Sequence, residues 1–260
     1  MEECKDIMTS LNSQQRANKL EKEYSKKIGD YLFENNGKKL EQLNIDCFPN
    51  FTTTNLMRKI FVRYELYKKI IGIHGDIYEC GVGYGPGFFS WMHLKDIFEP
   101  YNHLRKIVGF DTFEGFKKIT DQDKSSLNNE ELIKNGLKAN VYDQLVKLME
   151  VKSNLYPNSH LKQNFLIKGD VTKTLANYLK DNTQSIVSLL FLDFDLYEPT
   201  KHVLEKVIPL MPKGSIVAFD QINHDFWPGE SVAVKDFFNN FKNHELKRLD
   251  ISGTTSYITI

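Results

Sequence analysis

Five apolar runs of this chain each carry an acidic residue at their C-terminal end or within three positions of it. The runs are Asp76–Cys80, Lys106–Phe110, Phe165–Ile167, Ser185–Leu192 and Ser215–Phe219, and the acids are Glu79, Asp111, Asp170, Asp193 and Asp220. Carboxylates gathered at one edge repel one another unless a cation or hydroxyl-rich ligand lies among them. The first acid precedes the string Gly81-Val82-Gly83-Tyr84-Gly85-Pro86-Gly87, whose glycines let the main chain turn tightly and approach a ligand. Asp111, in Gly109-Phe110-Asp111-Thr112-Phe113, stands where an acid can accept both hydroxyls of a ribose. Asp193, Asp220 and Gln221 offer three hard oxygen donors on two strand ends, a set that suits Mg²⁺. For any one of these acids, capping the following helix is an equally good reading. For all five together, a ligand site is the better one.

These positions need a scaffold. Apolar runs without alternation, separated by segments of helical length (Gly87–Phe98, Val171–Leu179, Thr200–Leu210), predict a parallel sheet covered on both faces. Glu245–Asp250 and Tyr257–Ile260 flank Ser252-Gly253 and read as a hairpin, so a late strand is antiparallel. The expected fold is α/β and Rossmann-like, with a seven-stranded, mostly parallel sheet. In such sheets ligands lie outside the carboxyl ends of the strands, at the switch in strand order.

Residues 1–75 read as an N-terminal helical extension. Leu20–Leu32 and Leu56–Ile71 carry apolar residues at helical spacing, Thr52-Thr53-Thr54-Asn55 supplies N-cap candidates, and Asn44–Phe51 reads as a loop. The main domain then spans 76–260. Lys117–Asn164 is polar and too long for a simple connection, which predicts a helical insertion or lid near the site.

The 260 residues suffice for a sizeable core, and 34 basic residues balance 34 acidic ones. That balance offers no electrostatic case for nucleic acid or an anionic membrane, and no apolar run reaches the length of a membrane span. Cys4, Cys47 and Cys80 are scattered and fit a reducing cytoplasm. Seven histidines show no metal-ligand spacing. Trp91 reads as core, and Tyr64 and Tyr67 as packing residues on a helix.

A glycine string of this kind suits either a nicotinamide dinucleotide or S-adenosylmethionine. The acid two positions before the first glycine and the scarcity of basic residues to balance phosphates favour the sulfonium cofactor.

Taken in order, Glu79–Gly87, Asp111-Thr112-Phe113-Glu114-Gly115-Phe116, Gly169-Asp170-Val171, Asp193-Phe194-Asp195-Leu196-Tyr197-Glu198-Pro199-Thr200 and Asp220-Gln221 resemble the macrocin O-methyltransferase family. The likeness covers about residues 50–235. It implies a class I methyltransferase that uses S-adenosylmethionine and Mg²⁺ to methylate a sugar hydroxyl. By that resemblance Glu79, Gly81, Asp111, Thr112 and Asp170 bind the cofactor, and Val82, Gly83, Phe113, Gly169, Val171 and Asp193 are expected beside it. Asp193 is the implied base and metal ligand, and Asp220 and Gln221 complete the metal site. The family usually has a second Asp where this chain has Gln221; a carboxamide oxygen can still ligate Mg²⁺. Asp195, Tyr197, Glu198, His224 and Trp227 are expected at the acceptor. Glu198 stands where the family often has a small residue.

The acceptor expected is a nucleotide-linked deoxysugar, a surface-polysaccharide sugar or a natural-product glycoside. Competing readings are a methyltransferase for a phenol, amine or phosphoramidate, an NAD-dependent oxidoreductase, and a non-catalytic binding subunit. The N-terminal helices offer material for a homodimer or higher homo-oligomer.

Overall fold

The structure, a computed structural model, describes residues 48–116, 118–126, 138–155 and 158–260. The expected helix Leu20–Leu32, Cys4 and Cys47, and parts of the insertion lie outside them. The chain divides into two compact units, Met1–Arg58 and Lys59–Ile260. In the first, Phe48–Phe51 form a 3-10 turn where the sequence suggested a loop.

Helix α1 spans Thr54–Ile70, and its N-terminus is capped as expected: Leu56 N donates to Thr53 Oγ1 at 3.2 Å. Strand β1 (Asp76–Cys80) leads through the glycine turn into α2 (Pro86–Phe98). Then follow β2 (Ile107–Asp111), α3 (Tyr142–Ser153), β3 (Asn164–Lys168), α4 (Val171–Asp181) and β4 (Val187–Leu192). The chain closes with α5 (Tyr197–Val207), β5 (Ile216–Phe219), α6 (Pro228–Phe237), β6 (Lys247–Arg248) and β7 (Ser256–Thr259).

The sheet order is β3-β2-β1-β4-β5-β7-β6. The first five strands run parallel, and β7 is antiparallel to both β5 and β6. Period-two alternation places neighbouring residues of each central strand in opposite cores. Ile77, Ile107, Leu189, Phe191 and Ile216 pack with α1, α2 and α3. Tyr78, Val108, Leu190, Leu192 and Val217 pack with α4, α5 and α6. Burial on both faces is why these strands read as unbroken apolar runs.

Strand order switches direction between β1 and β4, since β1 leads outward to β2 while β4 lies on its other side. Register aligns the ends: Cys80 pairs with both Phe110 and Leu192, and Leu192 with Phe219. Gly81, Asp111, Asp193 and Asp220 therefore emerge side by side above the switch point.

Two bounds differ from the sequence reading, which places Trp227 with Pro228-Gly229-Glu230 in the loop after Asp220-Gln221. Pro228-Gly229-Glu230 instead opens helix α6; proline is favoured at the first position of a helix, where its missing N–H costs nothing. The insertion ends one residue early, because Asn164 already pairs with Ile107. Its described part does contain a helix, α3.

Candidate active site

The turn after β1 owes its shape to glycine. Gly81, Gly83 and Gly85 have φ of 94°, 55° and 90°, the left-handed region in which a side chain is strained. Gly81 N donates to Phe110 O at 2.9 Å, and Asp193 N donates to Cys80 O at 2.8 Å. These bonds press the turn against the end of β4, where a β-carbon at Gly81 would collide with the Asp193 carbonyl. Asp111 fixes the turn from the other side: its Oδ2 accepts from Gly83 N at 2.7 Å and its Oδ1 from Phe113 N at 2.6 Å.

The turn floors a cavity of about 390 Å³, within the range of small-molecule sites. Of the expected cofactor contacts, Gly81, Val82, Gly83, Asp111, Thr112, Gly169, Asp170, Val171 and Asp193 line it. So do Asp195, Glu198 and Gln221 from the acceptor and metal sets.

The remaining expected residues lie elsewhere. Glu79 is 1% exposed and does not line the cavity. Its Oε1 accepts from Arg63 Nη2 at 2.8 Å, and Arg63 lies over the ring of Phe191, 4.6 Å from its centroid. Burial pushes the Glu79 carboxyl above its usual range, and Arg63 opposes that rise. Phe113 is buried against Tyr142, ring centroids 5.2 Å apart. Tyr197 OH donates to Asp236 Oδ2 at 2.9 Å, toward α6. His224 Nδ1 accepts from Phe226 N at 3.3 Å within its own loop. Trp227 stands behind the cavity wall, packed on Phe116 at 5.6 Å. Of the five strand-end acids, Asp170 does cap a helix: its Oδ1 accepts from Thr172 N at 3.0 Å at the start of α4.

The cavity deepens toward a group of buried acids. Asp193 and Asp220 are brought together by the β4–β5 register, with Asp220 N donating to Leu192 O at 3.0 Å. Burial, then the neighbouring Asp220 and Asp195, raise the Asp193 carboxyl well above its usual range. Asp195 is raised by burial and by Asp220. It also holds a left-handed φ of 61°, a conformation that Asp tolerates better than most residues.

A fourth acid, Glu230, was read from the sequence only as part of a loop that could contact substrate. It is fully buried on α6, and its Oε1 accepts from Gln221 N at 3.4 Å. Burial and then Asp195 push it well above the usual carboxylate range. Lys59 on α1 was missed; it lines the cavity, with Nζ 3.7 Å from Asp220 Oδ2. The one signal for it was spacing, since Lys59 and Arg63 lie four apart on one helical face.

Of the three residues expected to hold a cation, Asp193 and Gln221 line the cavity and Asp220 does not. Among the described residues, buried oxygens without a hydrogen-bond partner include Gln221 Oε1 and Asp195 Oδ1. Among the described residues, no group of three His, Cys, Asp or Glu side chains forms a metal site; this set depends on the amide.

At the cavity mouth, Lys118 Nζ lies 2.8 Å from Glu198, joining the insertion to α5. Asp123 anchors the same segment. It is 1% exposed, and its Oδ1 accepts from Tyr197 N at 2.7 Å, capping α5 from outside the helix. Among the described residues, no helix is long and apolar enough to cross a membrane.

The model of the macrocin-O-methyltransferase family matches residues 48–257. The chain is similar in structure to CalS11, a calicheamicin methyltransferase, with TM-score 0.83 and 32% identity over 92% of each chain. The apo structure of CalS11, described as a TDP-rhamnose 3′-O-methyltransferase, gives TM-score 0.75 and 29% identity over 92% of this chain and 93% of that one. The O-methyltransferase NovP is similar in fold, with TM-score 0.62 and 19% identity over 78% and 79% of the two chains. A search of the curated proteins found no match. The chain therefore belongs to the macrocin-O-methyltransferase family and is an O-methyltransferase.

Proposed function

We propose that the chain methylates a hydroxyl of a sugar, using S-adenosylmethionine as donor and Mg²⁺ as a bound cation. The observation that carries this reading is a cavity lined by the glycine turn, Asp111, Asp193 and Gln221 together. CalS11, similar to this chain at 32% identity, is a TDP-rhamnose 3′-O-methyltransferase.

The residues fit the cofactor. Gly81 and Gly83 leave the main chain bare for close approach, and the Asp111 carboxylate sits beside them to accept from a ribose. S-adenosylmethionine supplies a methyl group on a sulfonium, and a cation suits a cavity walled by Asp111, Asp170, Asp193 and Asp195. Among the described residues, Lys59 and Lys118 are the basic side chains lining it, a poor match to the phosphates of a dinucleotide.

The residues fit Mg²⁺ as well. Asp193, Asp220 and Gln221 would hold it through hard oxygens, with Gln221 Oε1 free to ligate. The ion supplies Lewis acidity that lowers the pKa of an oxygen bound to it.

Asp193 holds the proton chemistry. Its carboxylate stands at the end of β4 on the cavity wall, where it can reach the proton of a bound hydroxyl. It would take the proton from the sugar hydroxyl as that oxygen forms its bond to the methyl carbon and the methyl carbon–sulfur bond breaks, leaving neutral S-adenosylhomocysteine. Phe116 offers an apolar wall to the sugar ring, and the Lys118–Glu198 pair closes the mouth above it.

Asp193→Asn tests the assignment. Turnover falls about 10²–10⁴-fold, the usual worth of a general base, while S-adenosylhomocysteine binding stays within about threefold of native by calorimetry. Near-normal turnover in this variant contradicts the assignment. Chelation with EDTA lowers activity and added Mg²⁺ restores it; undiminished activity in chelator removes the metal from the account.

A further inference from the structure

Lys59 and Arg63 share a face of α1 and divide the acids of the site between them. Arg63 takes Glu79 at 2.8 Å, and Lys59 lies 3.7 Å from Asp220. Among the described residues, Lys59 is the one basic side chain within 4 Å of the carboxylates of Asp193, Asp195, Asp220 and Glu230. The group is short of positive charge: Asp195 Oδ1 and Glu230 Oε2 are buried without a hydrogen-bond partner, on residues 3% and 0% exposed.

The Lys59 contact differs from the Arg63 one in kind. At 3.7 Å it is longer than a charge-assisted hydrogen bond, so charge rather than directed bonding holds it. The Lys59 side chain is 46% exposed, against 6% for Arg63. It can swing into solvent without leaving a buried hole, whereas Arg63 cannot.

We propose that Lys59 is the replaceable counter-ion of the Asp193–Asp220 pair, and that a divalent cation enters the site by displacing its ammonium from Asp220. This rests on the metal reading above. Both cations answer the same carboxylates, so the ammonium competes with the ion, and removing its charge tightens divalent binding. Lys59 is in this sense a positioning residue that sets how readily the site is loaded.

The test is calorimetric titration of the full chain with Mn²⁺, with melting measured in chelator and in Mn²⁺. Lys59→Met removes the charge and keeps most of the apolar stem; Lys59→Gln removes the charge and keeps a polar end suited to a half-exposed position. Both variants bind Mn²⁺ about five- to tenfold tighter than native, given the strength of partly exposed ion pairs, and Mn²⁺ raises their Tm more than it raises that of the native chain. Lys59→Arg stays within about twofold of native. Equal or weaker Mn²⁺ binding by the uncharged variants overturns the proposal while leaving the metal reading intact. Failure of the native chain and all three variants to bind Mn²⁺ overturns both.

Discussion

The main chain of Gly81 is pressed against that of Asp193, with no room between them for a β-carbon. The contact joins the residue that shapes the cavity floor to the residue assigned to proton transfer. Gly81→Ala must therefore move the end of β4 or the turn itself, because the obstacle is backbone and φ is 94°. We expect a loss of roughly 2–4 kcal/mol in unfolding free energy and loss of S-adenosylhomocysteine binding, read by urea titration and calorimetry. Gly83→Ala is the control, since a β-carbon there meets nothing within 4 Å; it carries only the strain of its positive φ.

Arg63 and Glu79 form a buried pair beneath that floor. Removing one partner leaves an uncompensated charge, so Arg63→Met costs about 3–5 kcal/mol. The double variant with Glu79→Gln recovers a large part of that loss, because no buried charge is left stranded. A double-mutant cycle by urea unfolding measures the coupling directly. Additive losses would mean that Glu79 and Arg63 act independently.

Most of the scaffold was legible in the sequence, and the reasons are physical. Strands buried on both faces read as unbroken apolar runs, which is how β1, β2, β4 and β5 were recognised; β3, a half-buried edge strand, showed only the short run Phe165–Ile167. Asp193 and Asp220 were found because each stands at the end of such a run. Glu230 and Lys59 were not, since each reaches the acid group from a helix and neither stands at the end of a strand. Glu230 was further hidden by the loop reading of the stretch around Pro228-Gly229. Asp123 gave no local sign either, because it caps a helix more than seventy residues away in the chain, at Tyr197. The family resemblance supplied roles, such as that of Asp193, that periodicity alone does not assign.

Asp76 provides a pH test away from the site, at the opposite end of β1. It is 7% exposed, its Oδ1 accepts from Lys106 N at 2.8 Å, and burial raises its carboxyl from 3.8 to about 6. An acid raised in this way binds its proton more tightly folded than unfolded. Its stabilising contribution is present below pH about 4 and is lost as pH rises through about 6. Asparagine can still accept from Lys106 N and has no charge to bury. Asp76→Asn should therefore gain on the native chain between pH 4 and 7, by up to about 3 kcal/mol from a rise of roughly two units. Urea unfolding at both pH values reads the difference, and a pH-independent offset would contradict the prediction.

The central claim is transfer of a methyl group to a sugar oxygen, and following the methyl group tests it most directly. The chain is incubated with Mg²⁺, S-adenosylmethionine labelled at the methyl carbon, and a panel of nucleotide-linked deoxysugars, glycosides, phenols and amines, and the products are resolved by mass spectrometry. The account predicts label on a hydroxyl oxygen of a sugar acceptor, with none transferred by the Asp193→Asn variant above about one per cent of native. Label appearing on a phenol or amine while every sugar stays unlabelled would contradict it.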